Sequence, residues 1–292
     1  MGLSFVTEPV AVRTPATSAN LGPGFDTLGL ALTLYDDLSA RVTGDRFTVA
    51  ISGEGATELP TDETHLVVKA MLATFDELGG RPAGVAVECV NRIPQARGLG
   101  SSSAAIVGGV QLARGLAEAK ISDEDALRIA ARLEGHPDNV APCLLGGFTI
   151  AWTEPDGARA VRLATAEGVR PTIFVPQERG LTATARAALP ISVPHADAAF
   201  NTGRAALLVH ALQHDPELLF TATEDRLHQG YRAEAMPGTS SLVASLRSVG
   251  VPAVVSGAGP TVLALGPVPA DFHPGEQWRA EMLGVDVDGA LA

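Results

Sequence analysis

Cysteine is nearly missing from this chain, with Cys89 and Cys143 as the whole complement. Two distant thiols make no disulfide framework, and without a CxxC spacing they argue against a structural zinc site. Both are expected as small buried hydrophobes. No apolar run approaches the length of a membrane span. Met1 to Val12 offers neither a basic stretch nor a signal-peptide core, which points to the cytoplasm and away from any membrane. Positive charge is short too: 21 Lys and Arg against 33 Asp and Glu leave a formal charge of −12. Phosphate backbones are bound mainly by Lys and Arg surfaces, so no nucleic-acid partner is expected. An acidic protein can still bind a small anion where backbone amides and a few placed cations supply local positive potential. Internal repeats and low-complexity tracts are absent as well.

What is present is ample material for folding. The chain has 292 residues, 46% of them hydrophobic and 18% charged, enough for one large domain or two with separate cores. Val10 and Val12 open a strand, a Gly/Pro/Asn loop follows from Thr14 to Phe25, and strand resumes through Leu28, Leu30, Leu32 and Leu34. "FTVAIS" and "GVAVECV" read as strands flanking a helix from His65 to Leu78 that stops at Gly79-Gly80. Ser122 and Asp125 stand in capping-box spacing ahead of a helix stopped by Gly135. "LLGGFTIAW" is a further strand, and the pattern weakens from Ala158 to Arg170, where a domain boundary is expected. The second half reads as strand ("RPTIFVP"), two helices ("AFNTGRAALLVHAL" and "SSLVASLRSVG"), then strand, glycine turn and strand ("VPAVVSGAGPTVLALG"). Without strict βαβ alternation the class is α+β.

One stretch asks for chemistry. In "RGLGSSSAA", Arg97 to Ala105, two glycines and three serines pass straight into apolar residues at helical spacing, Ile106, Val110, Ala113 and Ala117. A strand, a small-residue loop and a helix start together present free N–H groups at the positive end of a helix dipole, which is an anion site. Gly98 and Gly100 let the backbone close on a phosphate, and Ser101 to Ser103 can add hydroxyls. The plainer reading is an ordinary helix cap, for which one serine suffices. The run has neither the Gly-Lys-Ser/Thr ending of a Walker A loop nor the GxGxxG order of a dinucleotide fold.

"PQARGLGSSSAA" resembles the phosphate motif of the GHMP kinases, and "PATSANLGPGFD" and "SGAGPTVLAL" resemble their first and third motifs, in the right order across nearly the whole chain. "EGHPDNVAPCLLGGF", with Thr182 and Arg186 ahead of "LP", narrows the resemblance to the homoserine kinases. The resemblance implies an α+β, two-domain GHMP kinase fold. Residues 1–160 would form the N-terminal ATP-binding domain, like ribosomal protein S5 domain 2. Residues 161–292 would form the ferredoxin-like C-terminal domain. It also implies ATP as co-substrate, Mg²⁺ as its ion, L-homoserine as acceptor, a step of threonine biosynthesis, and a homodimer. The nucleotide would be held by Pro94, Gln95, Ala96, Arg97, Gly98, Leu99, Gly100, Ser101, Ser102, Ser103 and Ala104, with Gly257 and Gly259 from the third motif. Ser102 and Glu134 would be the metal ligands.

The acceptor the resemblance implies is a zwitterion, and by the same resemblance six positions correspond to its pocket: Arg186 and Arg232 for the carboxylate, Asp26 for the ammonium, and Asn20, His136 and Thr182 as polar contacts. Where other superfamily members carry a catalytic aspartate this chain has Asn139, an amide that cannot take a proton. Asn139 would orient the hydroxyl, while Asp138 reads equally as a helix cap or a member of the site. His65, His195, His210, His214, His228 and His273 have no partner at a telling spacing and read as surface or capping residues; Arg204 reads as solvated or in a weak surface pair. Rival readings are a GHMP kinase with a mevalonate-type or sugar acceptor, a non-catalytic nucleotide-binding relative, and a phosphate-independent interaction module, against which the three glycine motifs argue.

Overall fold

A computed structural model describes residues 3–118, 121–180 and 182–291. Its first sheet is organised by one long strand. β2 (Leu28–Thr43) pairs with the whole of β1 (Val10–Ala19), with β4 (Gly84–Asn91) through Asp37–Thr43, and with β5 (Phe148–Glu154) through Leu28–Leu30. β3 (Phe47–Gly53) runs parallel to β4, joined to it through helix α1 (Leu66–Glu77), and β6 (Gly157–Leu163) closes the opposite edge beside β5. The expected loop from Thr14 to Phe25 is therefore much shorter, because strand pairing continues to Ala19. Pro15 is accommodated at a register shift between Pro15 and Ala16, where the ladder is already interrupted and a missing N–H costs little. The weak stretch after Ala158 likewise holds β6, an edge strand whose arginines and exposed Val161 blunt its alternation.

Four helices pack behind this sheet. α2 (Ser101–Leu116) is central and buried at almost every position from Ser103 to Ala113, with α1, α3 (Asp123–Glu134) and α4 (Pro137–Leu145) around it. The capping box at α3 forms as expected: Ser122 Oγ accepts the Asp125 N–H at 3.0 Å, and the Asp125 carboxylate faces the Ser122 hydroxyl at 2.7 Å. Gly135, left-handed at φ 92°, ends α3 and turns the chain into α4, which starts on Pro137 as the missing N–H of proline allows. That reversal brings Glu134, His136, Asp138 and Asn139 to one place.

The second sheet is antiparallel, in the order β10 (Trp278–Met282), β7 (Thr172–Pro176), β9 (Val262–Ala264), β8 (Ala253–Val255). Around it lie α5 (Thr182–Ala187), α6 (His195–Gln213), α7 (Leu219–Ala222), α8 (Gln229–Arg232) and α9 (Pro237–Ser248). After β10 the chain returns to the first sheet, with bridges from Val285 to Leu32 and from Leu291 to Arg13. Cys89 and Cys143 are free and buried, as expected. Among the described residues no helix is long and apolar enough to cross a membrane.

The contact that fixes α4 against the sheet admits no side chain on β2. A Cβ on Gly29 would run into the carbonyl oxygen of Asp138 and lie 2.7 Å from the Pro142 ring. Gly29→Ala is expected to displace the first turn of α4 and cost about 1–3 kcal/mol of stability, as overpacking does. Urea denaturation checks this, and an unchanged midpoint contradicts the packing.

Candidate active site

The three glycine-containing motifs meet at one seam. Gly98 and Gly100 are left-handed, at φ 75° and 69°. A Cβ on Gly98 would collide with the Ser256 carbonyl oxygen, and one on Gly100 with the Thr17 hydroxyl. The approach is held by hydrogen bonds in both directions. Ser256 Oγ lies 2.6 Å from the Gly98 carbonyl and 2.8 Å from Ser18 Oγ. Thr17 N–H donates to Leu99 O at 3.0 Å, Thr261 N–H to Arg97 O at 3.2 Å, and Gly257 N–H to Ala19 O at 3.0 Å. The Arg97 guanidinium is a brace here, donating to the carbonyls of Gln95, Pro176 and Gln177 at 2.8–3.0 Å.

Because these contacts occupy the loop's carbonyls, the start of α2 is left with bare donors. Gly100 caps it with no side chain, and Ala104 is the first residue of the helix to return a bond, to Gly100 O at 2.8 Å. The N–H groups of Ser101, Ser102 and Ser103 have no hydrogen-bond partner among the described residues. Bare amides at the positive end of a 16-residue helix form an anion cradle. Beside it, the Ser102 and Ser103 hydroxyls donate to Glu134 Oε1 at 2.6 and 3.0 Å. One carboxylate and one hydroxyl, both hard oxygen donors, suit an ion such as Mg²⁺ that keeps several waters and takes phosphate oxygens. Among the described residues no group of three or more His, Cys, Asp or Glu could chelate a metal alone.

The same cavity also carries mixed charge. Arg186 forks onto Asp26 at 2.8 and 3.0 Å, so the side chains assigned to the acceptor's carboxylate and ammonium, two groups on one carbon, pair with each other. Both remain more than a third exposed, at 39% and 38%. Asn20 receives the Asp26 N–H at 2.9 Å and donates to the Gly257 carbonyl at 2.8 Å, tying first motif to third. Asp138, almost fully buried, holds His136 Nδ1 at 2.5 Å and raises the imidazole above its ordinary pKa against the opposing effect of burial. Asn139 accepts the Thr17 hydroxyl at 2.9 Å through its carboxamide oxygen, which leaves its NH₂ to donate.

Asn20, Asp26, Gln95, Ala96, Arg97, Gly98, Leu99, Gly100, Ser101, Ser102, Glu134, His136, Asn139, Arg186, Arg232 and Gly257 all line one cavity of about 470 Å³. Pro94, Ser103, Ala104 and Gly259 do not: Ser103 and Ala104 are packed inside α2, and Gly259 lies against the Met236 thioether. The side chain of Thr182 lies outside the described residues. Two histidines are buried. His65 caps α1 as expected, its Nδ1 accepting the Val67 N–H at 3.2 Å, and it also lines the cavity, with Nε2 lacking a partner among the described residues. His228 is fully buried rather than at the surface. Arg204, expected to be solvated or in a weak surface pair, pairs with the partly exposed Glu224 at 2.7 Å and covers the Phe200 ring. Unforeseen too is the apolar far wall of Leu38, Leu59, Pro60, Leu66 and Val67. Most of it comes from α1 and the loop ahead of it, and no local pattern announces it.

Comparison with known proteins follows the same lines. The family described as GHMP kinases N terminal domain matches residues 65–147, and that described as GHMP kinases C terminal matches residues 206–272. The homoserine kinase of Streptomyces coelicolor is 54% identical over 296 aligned positions, covering 99% of this chain and 96% of the relative. That of Clavibacter michiganensis is 53% identical, covering 96% and 93%. Among solved structures, a homoserine kinase from Cytophaga hutchinsonii superposes with a TM-score of 0.83 at 28% identity, covering 97% of this chain and 96% of the other. The L. major mevalonate kinase shares the fold alone, with a TM-score of 0.72 at 14% identity and 98% of each chain covered.

One cavity residue has a measurable pH signature. Asp36 is 5% exposed and accepts the N–H groups of Arg92 and Ile93, at 2.6 and 2.9 Å. Burial pushes its pKa up from 3.8 to about 6. The folded state then binds a proton that the unfolded state has released, so this group's contribution to stability falls as pH rises from about 4 to about 6. Asp36→Asn keeps the acceptor without the charge, and its gain in thermal midpoint over the parent is expected to be larger at pH 8 than at pH 4.5. A pH-independent difference contradicts the assignment.

Proposed function

The chain belongs to the GHMP kinases and, within them, to the homoserine kinases, and on that premise we propose how its residues divide the work. The reaction transfers the γ-phosphoryl group of ATP to the side-chain hydroxyl of L-homoserine, giving O-phospho-L-homoserine and ADP, a step of threonine biosynthesis. The observation that carries this reading is the run of unpartnered N–H groups at Ser101–Ser103, set beside Glu134, of which Ser101 and Ser102 line a pocket of mixed charge.

In this reading the triphosphate lies on the α2 amides and the nucleoside occupies the apolar wall near Leu66 and Val67. Ser102 and Glu134 would hold Mg²⁺, which when bound neutralises charge across the β- and γ-phosphates. The acceptor's ammonium goes to Asp26 and its carboxylate to Arg186 and Arg232, opening or sharing the present Asp26–Arg186 pair. His136, held charged more readily by Asp138, adds a cationic donor at the same end. The Asn139 NH₂ group donates to the acceptor hydroxyl and orients it toward the γ-phosphorus. As the new O–P bond forms, the bridging bond to the β-phosphate breaks. The hydroxyl proton leaves late, to an oxygen of the transferred group. A loose transition state asks little activation of the nucleophile, so positioning and charge stabilisation suffice without a carboxylate base. The same reading takes residues 1–160 and 161–292 as the two domains, the cytoplasm as the compartment and a homodimer as the assembly.

ADP release measured with homoserine, threonine, mevalonate and galactose tests the acceptor. Turnover is expected with homoserine and not with mevalonate or galactose; the reverse order would overturn the reading. Glu134→Gln is expected to lower kcat by at least about 100-fold with the fold intact, the upper end of what losing even an outer-shell partner of a metal costs. Unchanged kcat at limiting Mg²⁺ would remove Glu134 as a ligand.

A further inference from the structure

We propose that His228 is a positioning residue for the acceptor: the lone pair on its Nδ1 fixes the Arg232 guanidinium so that one edge of that group faces the pocket. The proposal rests on the reading of that pocket as the seat of the homoserine carboxylate.

Two contacts assign the imidazole its tautomer independently. Nε2 lies 2.8 Å from the Gly22 carbonyl oxygen, which can only accept, so Nε2 carries the hydrogen. Nδ1 lies 3.1 Å from Arg232 Nη1, which can only donate, so Nδ1 is bare. The ring is locked in place. It is fully buried, Phe25 stacks on its face at 5.0 Å, and Asp225 receives the backbone N–H groups of Leu227, His228 and Gln229 at 2.8–3.1 Å. Burial keeps the imidazole's pKa below its usual range, so the acceptor lone pair is retained.

Arg232 is then fully constrained along one side. Its Nε–H donates to the Ala185 carbonyl at 3.1 Å, and Nη1 donates to His228 and, at 3.3 Å, to the Gly257 carbonyl. Three of its five N–H hydrogens are thus committed. The two on Nη2 have no protein partner among the described residues, and Arg232 lines the cavity while being 2% exposed. A guanidinium so oriented loses little entropy on engaging a carboxylate. The Ala185 carbonyl belongs to the residue before Arg186, so both arginines are held in one frame.

Two substitutions separate positioning from bulk packing. His228→Gln can keep a donor toward Gly22 but places no acceptor at the Nδ1 position. His228→Asn puts a carboxamide oxygen there. His228→Gln is expected to raise the homoserine KM roughly 10-fold to 100-fold, the weight of a hydrogen bond to a charged group, with the ATP KM within about twofold. His228→Asn is expected to bring the homoserine KM back to within about threefold of the parent. Thermal midpoints of both variants are measured alongside. A homoserine KM raised equally in both variants, or unchanged in both, overturns the proposal, as does an equal rise in the ATP KM. Arg232→Met is the control for the underlying reading. If it raises the homoserine KM and His228→Gln does not, the positioning role alone falls; if it leaves that KM unchanged, the carboxylate pocket falls with it.

Discussion

Everything in this molecule's site depends on one close backbone approach, where Gly98 lies against Ser256 and Gly100 against Thr17 with no room for a side chain on either glycine. The seam joins residues more than 150 positions apart, as the Ser256 to Gly98 bond shows. It turns the loop's carbonyls toward Thr17, Ser256 and Thr261 and away from the first turn of α2. That turn therefore keeps its N–H groups for something other than protein. A helix start is generally satisfied by a side-chain cap; here Gly100 supplies none, and three serines stand where one would do.

The seam also explains how a protein of formal charge −12 can hold a trianionic or tetraanionic phosphate chain. Positive potential is produced locally, by amides and by arginines drawn inward. Arg232 and His228 come from one short helix and its approach, Arg186 from another, and Asp26 from the loop after β1. Other residues lining the site share with Asp26 an unfavourable backbone: Asn20, Asp26 and Ala96 all have positive φ. Such positions cost on the order of 1–3 kcal/mol each and persist where surrounding bonds over-determine them. Asn20 is a case in point, bonded to Asp26 on one side and to Gly257 on the other.

The sequence is informative where order and spacing carry the physics. Gly98, Gly100 and the three serines announce a strand-loop-helix anion site because glycine, hydroxyl and helical periodicity follow each other directly. Ser122 and Asp125 announce a cap for the same local reason. It is uninformative where a partner arrives from far along the chain. The i,i+4 spacing of His228 and Arg232 is unremarkable until the Gly22 carbonyl and Phe25 close around the imidazole. His65 reads as a capping residue, which it is, but its place in the cavity wall depends on how the loop ahead of α1 meets the phosphate loop. Pro15 suggests an early end to the first strand, and the register shift that absorbs it has no local signature. Asp26 and Arg186 are legible as charges but not as a pair, since charge complementarity alone does not say which group a carboxylate meets first.

The most direct test is a crystal structure of the protein with Mg²⁺ and a non-hydrolysable ATP analogue. Phosphate oxygens within hydrogen-bonding reach, about 3 Å, of the N–H groups of Ser101, Ser102 and Ser103 are the predicted result. A triphosphate bound elsewhere, with those amides still without a ligand, would contradict it.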